Sequence, residues 1–197
     1  MLTTRGSSAV ARLARVLADI DAWNDEQVAP PQEIGEVASW AGEHRLRLSA
    51  NIGRVEAGSF ISQVATEARA EIDLRLPPGL TVADIEARLD RCVSSVPGVT
   101  WRRLKGWDPN WTTAPGVVQA VSRAALAARE AALPVVRLPA SDASRWRALG
   151  IPAVCFGTQP LLASGIDDFV FEQEVVDCVA IYVLAALDLL KGPGLRG

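Results

Sequence analysis

Few side chains in this 197-residue chain could do chemistry, and they lie far apart in sequence. His44 is the single histidine and sits between Glu43 and Arg45, where an imidazole is solvated rather than held as a ligand. The cysteines Cys92, Cys155 and Cys178 are odd in number, widely spaced and flanked by apolar residues. That pattern fits reduced structural thiols better than a disulfide framework or a zinc cluster, and it points to the cytoplasm. No Gly-x-Ser-x-Gly elbow and no Cys–His pairing supplies a nucleophile. Carboxylates remain. Asp142 precedes a short predicted helix and is either its cap or an acid/base, while Asp167 and Asp168, with Glu172 and Glu174 nearby, are either a carboxylate pair or loop acids and favourable charges at a helix start.

These residues are carried by a chain with a real core. Its 49% apolar and 22% charged residues exclude disorder, and the net charge of -3, with basic residues dispersed, gives no footprint for nucleic acid or an anionic membrane. The most apolar stretch, Val175 to Leu190, is interrupted by Asp177 and Asp188 and falls short of the roughly 20 residues that span a bilayer. It reads as a core helix, and no signal segment opens the chain.

Apolar spacing at Val10, Leu13, Leu17 and Ile20 predicts a first helix ending near Trp23, with Ser7 or Ser8 as its cap. Leu46 to Val55 reads as a strand running into a turn at Ala57-Gly58. From Glu67 to Leu76, charged Glu67, Arg69, Glu71, Asp73 and Arg75 alternate with Ala68, Ala70, Ile72, Leu74 and Leu76, a period of two that only a half-buried strand can use. Pro77-Pro78-Gly79 stops this strand, and Thr81 with Asp84 forms a capping box for the next helix. A strand over Val99 to Leu104 follows. Helix, strand, strand, helix, strand is the β-α-β-β-α-β order without its leading strand, whose place is immediately before Met1. After a loop in which Trp107 and Trp111 either plug exposed core or form a binding surface, a Pro115-started helix, a strand at 135–138, a short helix after Asp142, a strand at 152–156 and a long terminal helix suggest part of an α/β layer.

The run Asn51-Ile-Gly-Arg-Val-Glu-Ala-Gly-Ser-Phe-Ile-Ser, continuing through Ala70-Glu-Ile-Asp-Leu-Arg-Leu-Pro-Pro-Gly79, resembles the dimerisation domain of the zinc-dependent family that contains acetylornithine deacetylase, succinyl-diaminopimelate desuccinylase, aminoacylase and glutamate carboxypeptidase. Ser141-Asp142-Ala143, then Leu149-Gly-Ile-Pro-Ala-Val-Cys-Phe-Gly157 and the terminal helix, resemble the C-terminal segment of that family's catalytic domain.

The resemblance implies an α/β and α+β chain. Residues 1–108 would be a ferredoxin-like dimerisation (lid) domain lacking its first strand, and 109–197 a partial α/β layer, the C-terminal part of the catalytic domain. It implies a homodimer through the small domain, and an active site in which two zinc ions activate a water. The family's His-x-Asp, bridging Asp and Glu-Glu ligands precede the dimerisation domain and have no counterpart here. Its C-terminal histidine ligand falls at Ser164, a poor zinc ligand. The family's substrate-contacting Asn aligns with Ser62 and its proline with Ala65. Arg75 stands where the carboxypeptidase branch grips a substrate carboxylate, or is a surface arginine paired with Asp73 or Glu71, and Asp142 matches a position beside the active site. The expectation is a chain that holds no zinc and has no hydrolytic activity alone, retained as a dimeric scaffold or binding protein. The alternatives are one part of a split or truncated amidohydrolase acting on N-acyl amino acids or small peptides, its N-terminal zinc-binding part on a partner chain, and a recruited metal-independent enzyme.

Overall fold

The computed structural model describes residues 4–35, 46–112, 114–128, 133–136, 141–158 and 166–191. The chain divides into two compact units, residues 1–109 with 136–139, and residues 110–135 with 140–197. Secondary structure is mixed helix and strand, with one two-stranded sheet among the described residues.

In the first unit, helix α1 (Ala9–Asp21) continues as a 3-10 turn over Ala22–Asp25. Its core face carries Ala9, Val16 and Ile20, while the expected core residue Val10 faces outward. Ser8 is the N-cap residue but its hydroxyl makes no capping bond, and Ser7 Oγ donates to the Thr4 carbonyl instead. Strands β1 (Ser49–Ala57) and β2 (Ala68–Arg75) form an antiparallel hairpin. Helix α2 (Val82–Ser94) starts with the capping box expected from Thr81 and Asp84. Thr81 Oγ1 accepts from the Asp84 amide at 3.2 Å, and the Thr81 amide donates to Asp84 Oδ2 at 2.8 Å.

The register of the hairpin contains one irregularity, between Ile52 and Arg54. Ile52 opposes Ile72 and Arg54 opposes Glu71, so Gly53 is an extra residue with no opposite number. The bulge shifts the alternation of β1 by one. Without it Val55 would join the charged face, and Arg54 and Glu56 the core face; with it Ala50, Ile52, Val55 and Ala57 share one side with Ala68, Ala70, Ile72 and Leu74. That side meets α1, and the cluster Val16, Ile20, Ala50 and Val96 forms there, packed by Ile72, Leu74, Leu89 and Val99 among others. Helix α2 packs on α1, and its Leu89, Cys92 and Val93 pack on the cluster that contains Ala50 of β1.

The expected strand at 99–104 does not form a ladder. The segment instead runs beside α2: Trp101 Nε1 donates to Asp90 at 2.8 Å and Arg103 Nη1 to Glu86 at 2.8 Å, while the amide of Val82 donates to Asp108 at 2.7 Å. Among the described residues no strand pairs with it, and Trp101 and Arg103 bond to the helix instead.

In the second unit, α3 (Pro115–Ala128) and α5 (Glu172–Lys191) pack through Ala120, Ala124, Ala125, Ile181 and Ala185, small residues that allow close approach. Arg123 Nε donates to Asp188 across this pair at 3.0 Å. Helix α4 (Ala143–Ala148) is held by Asn110, which donates to the Ser144 carbonyl at 2.9 Å and accepts from Arg147 at 2.8 Å. The expected strand at 152–156 is not a strand; it is irregular backbone tied by Arg147 to the Ala153 carbonyl and by Tyr182 to the Phe156 carbonyl. The expected strand at 135–138 lies partly outside the described residues. Only one side of α5 is covered. Val175, Val176, Val179, Tyr182, Val183, Leu187 and Leu190 are all exposed.

Candidate functional site

The start of the outer edge of β1 is closed by a side chain. Asn24, in the 3-10 turn after α1, donates to the Ala50 carbonyl at 3.0 Å and accepts the Ala50 amide at 2.8 Å, so its carboxamide replaces a neighbouring strand at that point. Beyond Ala50, the β1 edge is open among the described residues. Beside it the outward side of α1 presents Val10, Ala11, Ala14 and Ala18, all exposed. At the end of the hairpin the amide of Ala9 donates to the Ala65 carbonyl at 2.8 Å, tying the β1–β2 loop to the start of α1. A shallow groove there is lined by Ser8, Val10, Ala57, Phe60, Ile61 and Ala65. Phe60 is 65% and Ile61 100% exposed, an apolar patch continuous with the helix and strand. An open backbone edge beside a small-residue helix face suits pairing with another polypeptide.

The opposite side of the hairpin is polar and satisfied internally. Arg54 pairs with Glu56 and lies 3.8 Å from Glu71, and Arg69 reaches Glu56 at 2.7 Å and Glu71 at 3.8 Å. All four side chains are about half exposed, so the network solvates this face and contributes little stability. Among the described residues the least exposed ion pair of the unit is Glu26 with Arg88, and the guanidinium's hydrogen bonds hold the Glu26 carboxyl below the usual carboxylate range. Burial, with Asp19 beside it, pushes the Cys92 thiol up.

The residues singled out from sequence fall in different places. Arg75 ends β2 opposite Ser49, with its Nε donating to Asp73 at 2.7 Å. Ser62 is exposed in the loop beyond the other end of the hairpin. Ala68 to Arg75 separates them, a span of about 23 Å at the usual rise per residue, so the first unit does not bring Ser62 and Arg75 together. Asp142 is the N-cap residue of α4 but makes no side-chain cap; its carboxylate is exposed and 3.7 Å from Arg145. Asp167 is exposed in a turn, and Glu172 and Glu174 occupy the first turn of α5. Ser164 and His44 lie outside the described residues.

A dinuclear zinc site needs several His, Asp or Glu side chains converging on one point. Among the described residues no three His, Cys, Asp or Glu side chains are grouped so as to hold a metal ion. The donor set described therefore does not fit the ion, and no hydrolytic step can be written for it. Among the described residues no helix is long and apolar enough to cross a membrane.

Sequence reasoning missed two residues of this surface, Asn24 and Gly53. The signal for Gly53 was available: alternation in β1 fails unless one residue between Ile52 and Arg54 is skipped. Asn24 had no such signal, because an Asn after a helix is equally a simple turn residue.

Residues 3–99 match the family model of the peptidase dimerisation domain. The matched stretch holds α1, the hairpin and α2, and the match supports membership of the aminoacylase and peptidase family that carries this domain. No curated protein matches the chain.

Proposed function

We propose that this chain is a homodimeric scaffold of the aminoacylase and peptidase family, without hydrolytic activity by itself. In this reading residues 1–108 are the pairing domain, and 109–197 correspond to the C-terminal part of the catalytic domain. The observation that carries it is the surface made by the outward side of α1 and the open stretch of the β1 edge, in the stretch that matches a dimerisation domain. A two-fold contact is self-complementary, so α1 and β1 can meet their own copies without help from the rest of the chain. Ser62, in the loop continuous with that surface, is then a contact residue of the assembly, and Arg75, Asp142 and Ser164 are remnants of a substrate site.

Light scattering tests this. The expected mass is about twice 21.0 kDa at micromolar concentration, with a shift toward monomer on Val10→Asp and Val55→Glu. A monodisperse monomer at that concentration overturns the scaffold. Metal analysis after dialysis is expected to find no stoichiometric zinc, and two tightly bound zinc ions per chain overturn the non-hydrolytic reading.

One observation favours a second reading, that the chain is one part of a split or truncated amidohydrolase. The uncovered apolar side of α5 has the composition of a core rather than a surface, and a partner chain bearing the zinc-binding segment would cover it. Binding of hydrophobic dye by the isolated chain, lost on adding such a segment together with a gain of chelator-sensitive amide hydrolysis, distinguishes it from the scaffold.

A further inference from the structure

The hydrogen bonds of Asn24 fix which way the backbone of β1 points. The amide and carbonyl of Ala50 both face Asn24, away from β2, so Ala50 and its opposite number Leu74 are a non-hydrogen-bonded pair. At the other end of the hairpin the Gly58 amide donates to Glu67, which makes Ala57 and Ala68 a non-hydrogen-bonded pair as well. Counting by twos from either end, with Gly53 passed over, gives one answer: Ala50, Ile52, Val55 and Ala57 turn their amides and carbonyls to the outer edge, whereas Asn51, Arg54 and Glu56 bond to β2. Asn24 holds the groups of Ala50, which leaves Ile52, Val55 and Ala57 to pair. Residues 53–57 are all exposed, Val55 by 51%.

The stretch that holds this edge matches a dimerisation domain, which points to a second copy of the chain as its partner. A two-fold axis perpendicular to the sheet sets the two β1 strands antiparallel, with one position opposite itself, and few positions suit the axis. With the axis on Ile52 or Arg54, the partner's Val55 or Ala57 lands against Ala50, whose groups Asn24 already holds. With the axis on Glu56 or Ala57, the partner of Ile52 lies beyond the end of the strand. With the axis on Val55, every outward residue left free is paired: Ile52 with the partner's Ala57, Val55 with its own copy, and Ala57 with the partner's Ile52. The same count decides the charges. Arg54 then faces the partner's Glu56, and Glu56 the partner's Arg54, whereas an axis on Arg54 opposes two arginines and an axis on Glu56 two glutamates.

We propose that Asn24 sets the register of the homodimer: it stops strand pairing at Ala50, so that the two-fold axis passes at Val55 and Arg54 and Glu56 pair across it with their counterparts. This rests on the homodimer reading above and adds to it the residues that meet. Main-chain hydrogen bonds from Ile52, Val55 and Ala57 supply the attraction, and the β1 strands of two copies join their hairpins into one continuous sheet. Arg54 and Glu56 bond inward to β2, so on the outer edge each belongs to a non-hydrogen-bonded pair, where opposed side chains come closest and like charges are least tolerated. On the side that meets α1, the exposed Val55 is covered by its own copy. Asn24 thus both satisfies Ala50 and excludes the shifted alignments that would use it.

Cysteine cross-linking of the full chain reads the register, with the exposed native thiol removed throughout as Cys155→Ser. Val55→Cys is expected to link to its own copy under mild oxidation about tenfold or more faster than Ile52→Cys or Ala57→Cys. Those two positions each lie about 14 Å from their own copies, beyond the reach of a disulfide. A mixture of the Ile52→Cys and Ala57→Cys chains is expected to link one to the other. Charge reversal gives a second reading that leaves Val55 alone. Arg54→Glu and Glu56→Arg are each expected to weaken self-association about threefold or more at low salt, and a mixture of the two chains to favour the mixed dimer, in which both contacts again join unlike charges. Light scattering on the unaltered chain separates the two readings under test. A monomer overturns the homodimer and the register with it. A dimer in which Val55→Cys links no faster than the flanking variants, or in which the reversed chains show no preference for each other, overturns the register and leaves the homodimer standing.

Discussion

Replacing Asn24 tests the hydrogen-bond logic of the first unit directly. Its carboxamide satisfies both polar groups of Ala50, a residue 6% exposed at the centre of the core cluster. Asn24→Ala leaves an amide and a carbonyl with little access to water, and at about 1 to 1.5 kcal/mol for each lost bond the cost is about 2 to 3 kcal/mol. Asn24→Asp keeps the acceptor for the Ala50 amide but cannot donate to the carbonyl, so it costs about 1 to 2 kcal/mol. Against a total stability of about 5 to 15 kcal/mol, both are measurable. Amide exchange at Val16 and Ile20, which lie in that cluster, reads the opening free energy of this unit without interference from the second. The graded order Asn, Asp, Ala is the signature. If Ala costs under about 0.5 kcal/mol, or Asp costs as much as Ala, then the carboxamide is not acting as a strand surrogate and the backbone orientation deduced from it fails with it.

Further outcomes follow from other parts of the fold. Gly79 has φ of 108°, and a Cβ there would sit 2.5 Å from the Ala29 carbonyl oxygen and 3.0 Å from Val28 Cγ1, so Gly79→Ala is expected to cost about 3 kcal/mol or more by denaturant titration. Thr81→Ala removes the hydroxyl half of the α2 capping box and is expected to cost about 1 kcal/mol, read as faster exchange of the first-turn amides. Glu26 is held below its ordinary value by hydrogen bonds from Arg88, and Asp84 by those of Thr81. Groups depressed in this way contribute stability above the unfolded carboxylate range and lose it as pH falls through their folded values. The first unit should therefore be insensitive to pH near neutrality and weaken below about pH 4.5. Glu26→Gln should flatten that fall and, because the pair is partly exposed, cost only about 1 kcal/mol at pH 7.

Local signals were legible where one physical cause dominates. The alternation of β2, the Thr81–Asp84 box and the Pro115 start of α3 all appear within a residue or two of their expected places, because periodicity, side-chain capping and a fixed φ act over a few neighbours. Two expected strands failed for a non-local reason. Residues 99–104 and 152–156 have strand-like composition, but a strand exists only with a partner, and nothing in a local window says whether one is present. The first helix was legible in extent but not in face, since Val10 and Val16 are equally apolar and only the position of the hairpin decides which is buried. Of the candidate site, α1 and β1 were visible as patterns. The closure of the β1 edge by Asn24 was not, because that depends on two backbone groups 26 residues away.

The bulge at Gly53 also governs how the hairpin tolerates changes in length. Because it is the one residue of β1 without an opposite number, its deletion alone would leave a regular ladder in which Arg54 and Glu56 keep the charged side and Val55 the side that meets α1. A single residue inserted elsewhere in β1, with the bulge kept, would instead reverse the sides of everything between the insertion and the turn. Lengthening or shortening this arm by engineering or by drift is therefore quantised: residues come and go in pairs, and the one position that can be lost alone is the glycine.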